Sequence, residues 1–172
     1  NIDYLKGLNF LLNEQTDQAV EHFLEMVRVD NTTIETHFAL GNLFRKRGEV
    51  NRAIRIHQNI IARPDISSEQ RNHAFYSLAR DYQHAGLLDR AEILFIRLSD
   101  DSEYKLEALT KLIDIHEQEK EWQKAIDVSK KSYKIKGDVS FAHQISHYIC
   151  ELAEEAAANK DYEKASSLVK SF

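Results

Sequence analysis

The chain has few residues that interrupt helices and almost none that cross-link a fold. Its 172 residues include one proline, five glycines and one cysteine, Cys150. Because proline and glycine destabilise helix interiors, their scarcity predicts helix through most of the chain. A single cysteine cannot form an intrachain disulfide, which fits a reducing compartment. No apolar run reaches the roughly 18 residues of a membrane span. Since the sequence begins at Asn1 rather than methionine and stops in an amphipathic stretch, ASSLVKSF, we expect a fragment truncated at both ends.

An excess of positive charge is also absent. The chain has 28 acidic and 23 basic side chains and a formal net charge of -5. Such a chain has no general attraction to a phosphate backbone, so we predict no nucleic-acid partner. The basic stretch from Arg45 to Arg55 can therefore act only locally.

What the chain does contain is internal repetition. Five segments align on one alanine each: DQAVEHF at Ala19, NRAIRIH at Ala53, DRAEILF at Ala91, QKAIDVS at Ala125 and EKASSLV at Ala165. The alanines are 34, 38, 34 and 40 residues apart, and a 34-residue period is typical of the tetratricopeptide repeat, a helix-turn-helix unit. We predict an all-α tetratricopeptide-repeat superhelix. It forms one array over 1–172, with units at about 1–33, 34–66, 72–105, 106–138 and 143–172.

Other positions in this alanine frame support two closely packed helices in each unit. Twelve residues before the alanines stand Gly7, Gly41, Ala79, Ile113 and Ala153, of which Ile113 is too large for the pattern. Five residues before the alanines stand Glu14, Gly48, Gly86, Lys120 and Lys160, where we predict a left-handed turn.

The frame also predicts where the helices end. We expect ten helices with breaks near Gly48, Gly86 and Gly137, and aromatic wedges at Trp122 and Tyr162 in two of the turns. The additional residues of the two long spacings are expected in loops at RPDISSEQ and YKIKGDVS.

A partner-binding groove is predicted on the first helix of each unit. Residues there that are spaced three to four apart share one face. In the second, third and fourth units these positions are Phe38, Asn42, Arg45 and Lys46; Tyr76, Arg80, Gln83 and His84; and Thr110, Asp114, Glu117 and Gln118. The groove is expected to run from basic to acidic. Phe38 and Tyr76 would be apolar anchors, and Arg45 and Arg80 would hold carboxylates. The alternative is a solvated charged surface.

An apolar patch is predicted at the start of the chain. In the first unit Leu8, Leu11 and Leu12 occupy groove positions. We expect a membrane-proximal segment or a second copy of the chain, in a homo-oligomer, to cover this patch.

Catalytic and metal-binding interpretations rest on HQISHYIC. His143 and His147 are four residues apart, a spacing that the metalloprotease pattern His-Glu-x-x-His also has. Gln144 stands where that pattern needs a general base and cannot accept a proton, so we predict no enzyme. A bare metal site at His147, Cys150 and Glu154 remains as an alternative to a solvated wall, and our expectation is no catalytic residue, metal or cofactor in this chain.

Longer strings carry a narrower resemblance. GNLFRKRGEVNRAIRIHQ, EQRNHAFYSLARDYQHAGLLDRAE, EWQKAIDV and HYICELA resemble the lipopolysaccharide assembly protein B family, and the likeness runs from GLNFLL to DYEKA. This chain would be the N-terminal half of that family's repeat array.

The resemblance implies a function. Family members have an N-terminal membrane helix, a repeat array at the cytoplasmic face of the bacterial inner membrane and a C-terminal rubredoxin-like metal domain. They act as adaptors that bring the lipid A deacetylase to the FtsH protease, with other inner-membrane regulators as further partners. The chain lacks the membrane helix and the Cys-x-x-Cys pairs of the metal domain. A tetratricopeptide scaffold that binds peptides of an unrelated partner stays open as the alternative.

Overall fold

The computed structural model describes residues 2–12, 15–29, 33–100 and 103–170. Within these ranges the chain forms ten α-helices and no strand, which confirms the all-α prediction. The helices are α1 (Ile2–Leu12), α2 (Thr16–Val29), α3 (Ile34–Lys46), α4 (Val50–Ala62), α5 (Ser68–His84), α6 (Leu88–Leu98), α7 (Lys105–Gln118), α8 (Trp122–Lys136), α9 (Val139–Ala158) and α10 (Tyr162–Lys170). None of the described helices combines the length and hydropathy needed to cross a bilayer.

Two compact units divide the chain, and the boundary between them falls inside α6. Unit 1 covers 1–94 and unit 2 covers 95–172. In unit 1, α1 to α5 pack in chain order, and α3 also contacts α5. In unit 2, α7 packs on α8, α8 on α9 and α9 on α10. Packing between sequence neighbours is what stacked helix pairs require, since each helix pair buries its apolar face against the next pair.

The alanine frame marks the helix contacts. Ala19, Ala53, Ala91 and Ala125 are fully buried, whereas Ala165 in α10 is half-buried. Close approach also depends on the small residues twelve positions earlier. A Cβ at Gly41 would lie 2.5 Å from Nε2 of His57, and a Cβ at Gly7 would overlap the ring of Phe23. Glycine at these two positions therefore leaves room for a ring on the facing helix.

Four turns within helix pairs share one geometry. Each contains a residue with positive φ: Gly48 (81°), Gly86 (72°), Lys120 (57°) and Lys160 (61°). The residue after it donates its backbone N–H to the carbonyl five residues earlier, as from Glu49 to Phe44 at 2.8 Å. This is the bond of a Schellman motif, which satisfies carbonyls at a helix end. The left-handed turns are therefore present where the frame predicts them; Glu14 lies outside the described residues.

The additional residues of the two long spacings lengthen helices rather than loops, so the loop prediction is wrong for most of them. α5 has 17 residues against 13 in α3, and α9 has 20 against 14 in α7. The extra turns are added at the N-terminal ends, where capping residues stabilise them. Ser67 and Gln70 form a capping box, and Asp138 accepts a hydrogen bond from the N–H of Ser140.

The chain breaks near all three glycines that were predicted to end helices. Gly137 follows α8 in a left-handed conformation with φ 66°. Of the two predicted aromatic wedges, only Trp122 is packed. Its indole stacks on Tyr148 with ring centroids 6.0 Å apart, and its N–H donates to Glu155 at 2.9 Å. Tyr162 is 68% exposed, so the wedge predicted there is wrong.

Candidate partner-binding groove

A pocket of about 410 Å³ opens between α3 and α5 in unit 1. We call it the α3–α5 pocket; its lining residues are Asn42, Arg45, Lys46, His73, Tyr76, Ser77, Arg80 and His84. Both helices are first helices of a repeat unit, as the groove prediction requires. The pocket therefore brings together six of the residues predicted for the groove: Asn42, Arg45, Lys46, Tyr76, Arg80 and His84.

A buried ion network forms the floor of this pocket. Nη1 of Arg45 donates to Oδ1 of Asp81 at 2.7 Å and to the carbonyl of Ser77 at 3.1 Å. Nη2 of Arg45 donates to the side-chain oxygen of Asn42 at 2.5 Å. The second carboxylate oxygen of Asp81 lies 2.5 Å from Nδ1 of His57. Asp81 and His57 are fully buried and Arg45 is 8% exposed, so the network belongs to the interior.

This network corrects the role that the sequence predicted for Arg45. We expected an exposed guanidinium that holds a partner carboxylate, but the group is already engaged by Asp81, Ser77 and Asn42. Phe38 was expected as an exposed anchor and is only 8% exposed. Its ring meets His73 edge-to-face at 4.4 Å, so Phe38 supports the pocket wall from behind.

The remaining cations of the pocket face solvent. Lys46 is exposed and Arg80 is half-buried. Within the described part of the chain, no ion pair joins either side chain to a carboxylate, and no carboxylate lines the pocket. Asp81 neutralises Arg45 from below, so Lys46 and Arg80 give the pocket its net positive charge. An anionic side chain entering the pocket would meet both.

His73 responds to the same charges. Burial lowers the pKa of its imidazole from the ordinary value of 6.5, and the nearby His57 and Arg45 lower this pKa further. Near neutral pH the ring is therefore uncharged.

The other predicted groove positions lie elsewhere. Gln83 is half-buried and does not line the α3–α5 pocket. In unit 2, the carboxylate of Asp114 accepts from Lys111 at 2.9 Å, and Glu117 accepts a hydrogen bond from the hydroxyl of Tyr148. Burial, and then Glu117, raise the pKa of Tyr148 well above its usual range, so its hydroxyl remains a donor. Partner contact at these positions, and a gradient from basic to acidic, stay predictions.

The metal site considered on α9 is not assembled. The ligand atoms of His147, Cys150 and Glu154 do not come within reach of a single ion. His147 instead lies 3.8 Å from Glu151, one turn further along. At the start of the chain, Leu8 is half-buried, while the side chains of Leu11 and Leu12 lie outside the described residues, so the apolar patch stays a prediction.

Sequence reasoning missed Asp81, His57 and His73. Asp81 stands ten residues before Ala91, and ten residues before Ala53 and Ala125 stand Leu43 and Ile115. A carboxylate at a position that is apolar in the repeats on either side is the available signal that a buried partner exists. His73 has no comparable signal, because its position depends on the ring of Phe38 across the helix pair.

Solved structures share the architecture. A MamA structure superposes with a TM-score of 0.70 at 20% identity, covering 96% of this chain and 95% of that one. A putative kinesin light chain from Podosopora anserina with nearly identical TPR-like repeats superposes with a TM-score of 0.68 at 18% identity, covering 98% and 90%. A profile of the tetratricopeptide repeat matches residues 36–65. The fold is thus that of a tetratricopeptide-repeat protein.

Sequence relatives narrow the assignment. The lipopolysaccharide assembly protein B of Escherichia coli strain K12 is 46% identical over 168 residues, which are 98% of this chain and 43% of the relative. The protein of the same name from Haemophilus influenzae is 40% identical over 178 residues, covering 99% and 45%. The chain belongs to the lipopolysaccharide assembly protein B family. It spans less than half the length of these relatives.

Proposed function

We propose that this chain is part of a non-catalytic adaptor that regulates lipopolysaccharide synthesis. The observation that carries the proposal is the 46% identity over 98% of the chain to a relative named lipopolysaccharide assembly protein B. The repeat fold supports it, because stacked helix pairs present extended surfaces for protein partners.

The mechanism proposed is delivery of a substrate to a protease. The adaptor binds the lipid A deacetylase and brings it to FtsH at the cytoplasmic face of the inner membrane, with other inner-membrane regulators as further partners. Holding both proteins on one surface raises their effective concentration, which accelerates proteolysis without a catalytic group in the adaptor. A membrane anchor and a metal-binding domain in the whole protein are part of the proposal and contribute no residue to the pocket described here.

Two measurements test this function. The first is titration of purified deacetylase against the chain, for which we expect weak but saturable binding. The second is the deacetylase half-life in a strain that lacks the adaptor. We expect a full-length adaptor carrying this segment to shorten the half-life, and the segment alone to leave it long.

The outcomes separate the alternatives. If the full-length adaptor restores turnover and the deacetylase binds, the delivery mechanism stands. If neither occurs while other proteins bind, the chain is a peptide-binding scaffold for an unrelated partner. Turnover restored by the segment alone would contradict the need for membrane colocalisation.

A further inference from the structure

We propose that the α3–α5 pocket binds a carboxylate side chain of a linear acidic segment in a partner protein. In this assignment Arg80 and Lys46 contact the carboxylate, Tyr76 forms an apolar wall, and Arg45 is a positioning residue. The inference deepens the proposed function and rests on it for the kind of partner.

Unpaired charge is the first argument for an anionic ligand. Lys46 and Arg80 line one pocket of about 410 Å³ without an ion-pair partner among the described residues. By contrast, many other cations of unit 1 are paired: Arg47 with Glu49 at 3.2 Å, Arg52 with Glu49 at 3.0 Å and Arg63 with Asp65 at 3.1 Å. The planar guanidinium of Arg80 matches the two oxygens of a carboxylate in a two-pronged hydrogen bond.

The buried network is the second argument, because it shows that the pocket is a built structure. The guanidinium of Arg45 is fixed by Asp81, Ser77 and Asn42, so that part of the floor does not have to be ordered when a ligand arrives. Asn42 and Ser77 also line the pocket, which links the network directly to the lining. Arg45 therefore acts through its neighbours rather than by holding the ligand.

Pocket position favours a carboxylate over a phosphate group. Asn42, Arg45 and Lys46 stand in the last turns of α3, and Arg80 and His84 in the last turns of α5. Many phosphate sites use helix N-termini, where backbone N–H groups point at the ligand, whereas the carbonyl end of a helix disfavours a phosphate dianion more than a singly charged carboxylate. The pocket is also open to solvent between two helices, unlike the enclosed sites that bury most of a small molecule. An extended peptide with one acidic side chain in the pocket satisfies both constraints.

The experiment selects ligands without assuming the partner. A display library of random peptides about twelve residues long is panned on the wild-type chain and counter-selected on the Lys46→Glu/Arg80→Glu variant. We expect the selected peptides to be enriched in Asp and Glu. Absence of acidic enrichment, or equal recovery of the peptides on the variant, would overturn the proposal.

A selected peptide is then titrated by fluorescence anisotropy, together with a copy in which Asp and Glu are replaced by Asn and Gln. Loss of a charge-assisted hydrogen bond predicts at least about tenfold weaker binding of the neutral copy to the wild-type chain and of the acidic peptide to Arg80→Glu. Arg80→Lys should recover part of the affinity, since charge returns without the guanidinium fork. Equal affinity of the two peptides for the wild-type chain would contradict the carboxylate assignment.

Controls distinguish the pocket from net charge and from phosphate. The variant Arg55→Glu/Lys130→Glu changes two exposed cations outside the pocket by the same total charge, and it should keep wild-type affinity and melting temperature. Sodium phosphate should displace the peptide no better than sodium chloride at equal ionic strength. Stronger displacement by phosphate, with saturable phosphate binding to the chain, would assign the pocket to phosphate instead.

This test and the test of the proposed function fail separately. If the deacetylase binds the wild-type chain and Arg80→Glu equally while acidic peptides are not selected, the adaptor function stands and the pocket assignment falls. If acidic peptides bind through Arg80 and the deacetylase does not bind, the pocket assignment stands and the deacetylase is not its partner.

Discussion

Helix α5 of unit 1 buries an ion pair at a frame position where α7 of unit 2 buries hydrocarbon. The same position in α3 of unit 1 holds the buried Leu43, so the ion pair is particular to α5. Asp81 in α5 is fully buried and holds Arg45 and His57, whereas the apolar side chain of Ile115, at the same frame position in α7, is fully buried. Desolvating a carboxylate is unfavourable unless its partners are in place, so α5 depends on specific hydrogen bonds at a position where α7 buries an apolar side chain.

A second difference concerns volume. In unit 1, Gly41 stands twelve residues before its alanine, and the ring of His57 stands four residues after it. In unit 2, the same two frame positions hold Ile113 and Ser129, both buried. The large and small members are exchanged between the two helices. Because Ser129 is small where unit 1 has a ring, less space is filled from α8, which is a physical reason why Ile113 is accommodated although it is too large for the small-residue pattern.

The turns differ as well, although their hydrogen bonds are the same. The left-handed residue is Gly48 and Gly86 in unit 1, and Lys120 and Lys160 in unit 2. Together, the three differences show that the repeat period defines the backbone geometry. The pairing of buried charges and the filling of space between helices depend on different residue pairs in the two units. This conclusion can be tested by giving one unit the residues that the other unit has at equivalent positions.

The largest effect is expected from removing the buried carboxylate. Asp81→Leu leaves Arg45 without its carboxylate partner and should lower the free energy of unfolding by about 3–5 kcal/mol. Urea unfolding measures the change, and hydrogen exchange should localise the loss to unit 1. Asp89→Leu removes an exposed carboxylate from the first turn of α6; as a control it should lower stability by no more than about 1 kcal/mol, the contribution of a first-turn anion.

A fully apolar version of the network sharpens the same point. The triple variant Arg45→Met/His57→Phe/Asp81→Leu removes both charges together with the buried Nε2 of His57, which has no hydrogen-bond partner among the described residues. It should recover most of the stability that Asp81→Leu loses, because no buried charge then lacks a partner. A triple variant as unstable as the single one would show that apolar packing cannot replace the network at this site.

The volume exchange gives the next largest effect. A Cβ at Gly41 would lie 2.5 Å from Nε2 of His57, so Gly41→Ala should destabilise the chain by about 1–3 kcal/mol. In the His57→Ser background, which copies Ser129 of unit 2, Gly41→Ala should have almost no further effect. A double-mutant cycle measured by thermal unfolding tests this coupling, and additive effects of the two substitutions would contradict it.

Smaller effects are expected at the turns. Gly86→Lys copies unit 2 and should destabilise by about 1 kcal/mol, because a side chain disfavours left-handed backbone. Lys120→Gly should be neutral or stabilising by up to about 1 kcal/mol, since the strain relieved competes with the entropy of glycine. Lys130→Gly in the middle of α8 is the control and should destabilise by about 1 kcal/mol. If Lys120→Gly destabilises by as much as Lys130→Gly, backbone strain at Lys120 is negligible.

The smallest effect concerns pH and unit 1. The pKa of His73 is lowered in the folded chain from its ordinary 6.5, so the unfolded chain binds a proton more readily. This contribution to stability is therefore present above pH 6.5 and is lost as the pH falls through the lowered folded-state pKa. The difference in stability between the wild type and His73→Gln should shrink or reverse over that range; a difference independent of pH would show that His73 titrates alike in both states.

Much of the fold was predictable because it depends on repeated local signals. The 34-residue frame located the buried alanines Ala19, Ala53, Ala91 and Ala125 and the left-handed turns, including those at Lys120 and Lys160. The long spacings were misassigned to loops because periodicity counts residues and does not say whether they extend a helix. Capping at Ser67 and Asp138 decided that the extra residues continue α5 and α9.

For the candidate site residues, the sequence predicted the helix face on which each residue lies but not its burial or its partners. Helical spacing placed Asn42, Lys46, Tyr76 and Arg80 on the faces that line one pocket. It also placed Arg45 there, but it could not reveal that Asp81, 36 residues away along the chain, would hold the guanidinium. The exposure of a charged side chain depends on its partners, and helical spacing within one helix pair does not specify partners in another pair.

The sequence by itself determined the repeat, the helix pairs, the turns and the family, because each of these depends on residues at fixed separations along the chain. Only the tertiary structure decided which cations are free to meet a partner. Lys46 and Arg45 are neighbours in sequence, yet one is exposed and the other is 8% exposed and held by Asp81. The physical reason is that a charge is desolvated and paired by residues that meet it across helices, so its availability is a property of the packed helices.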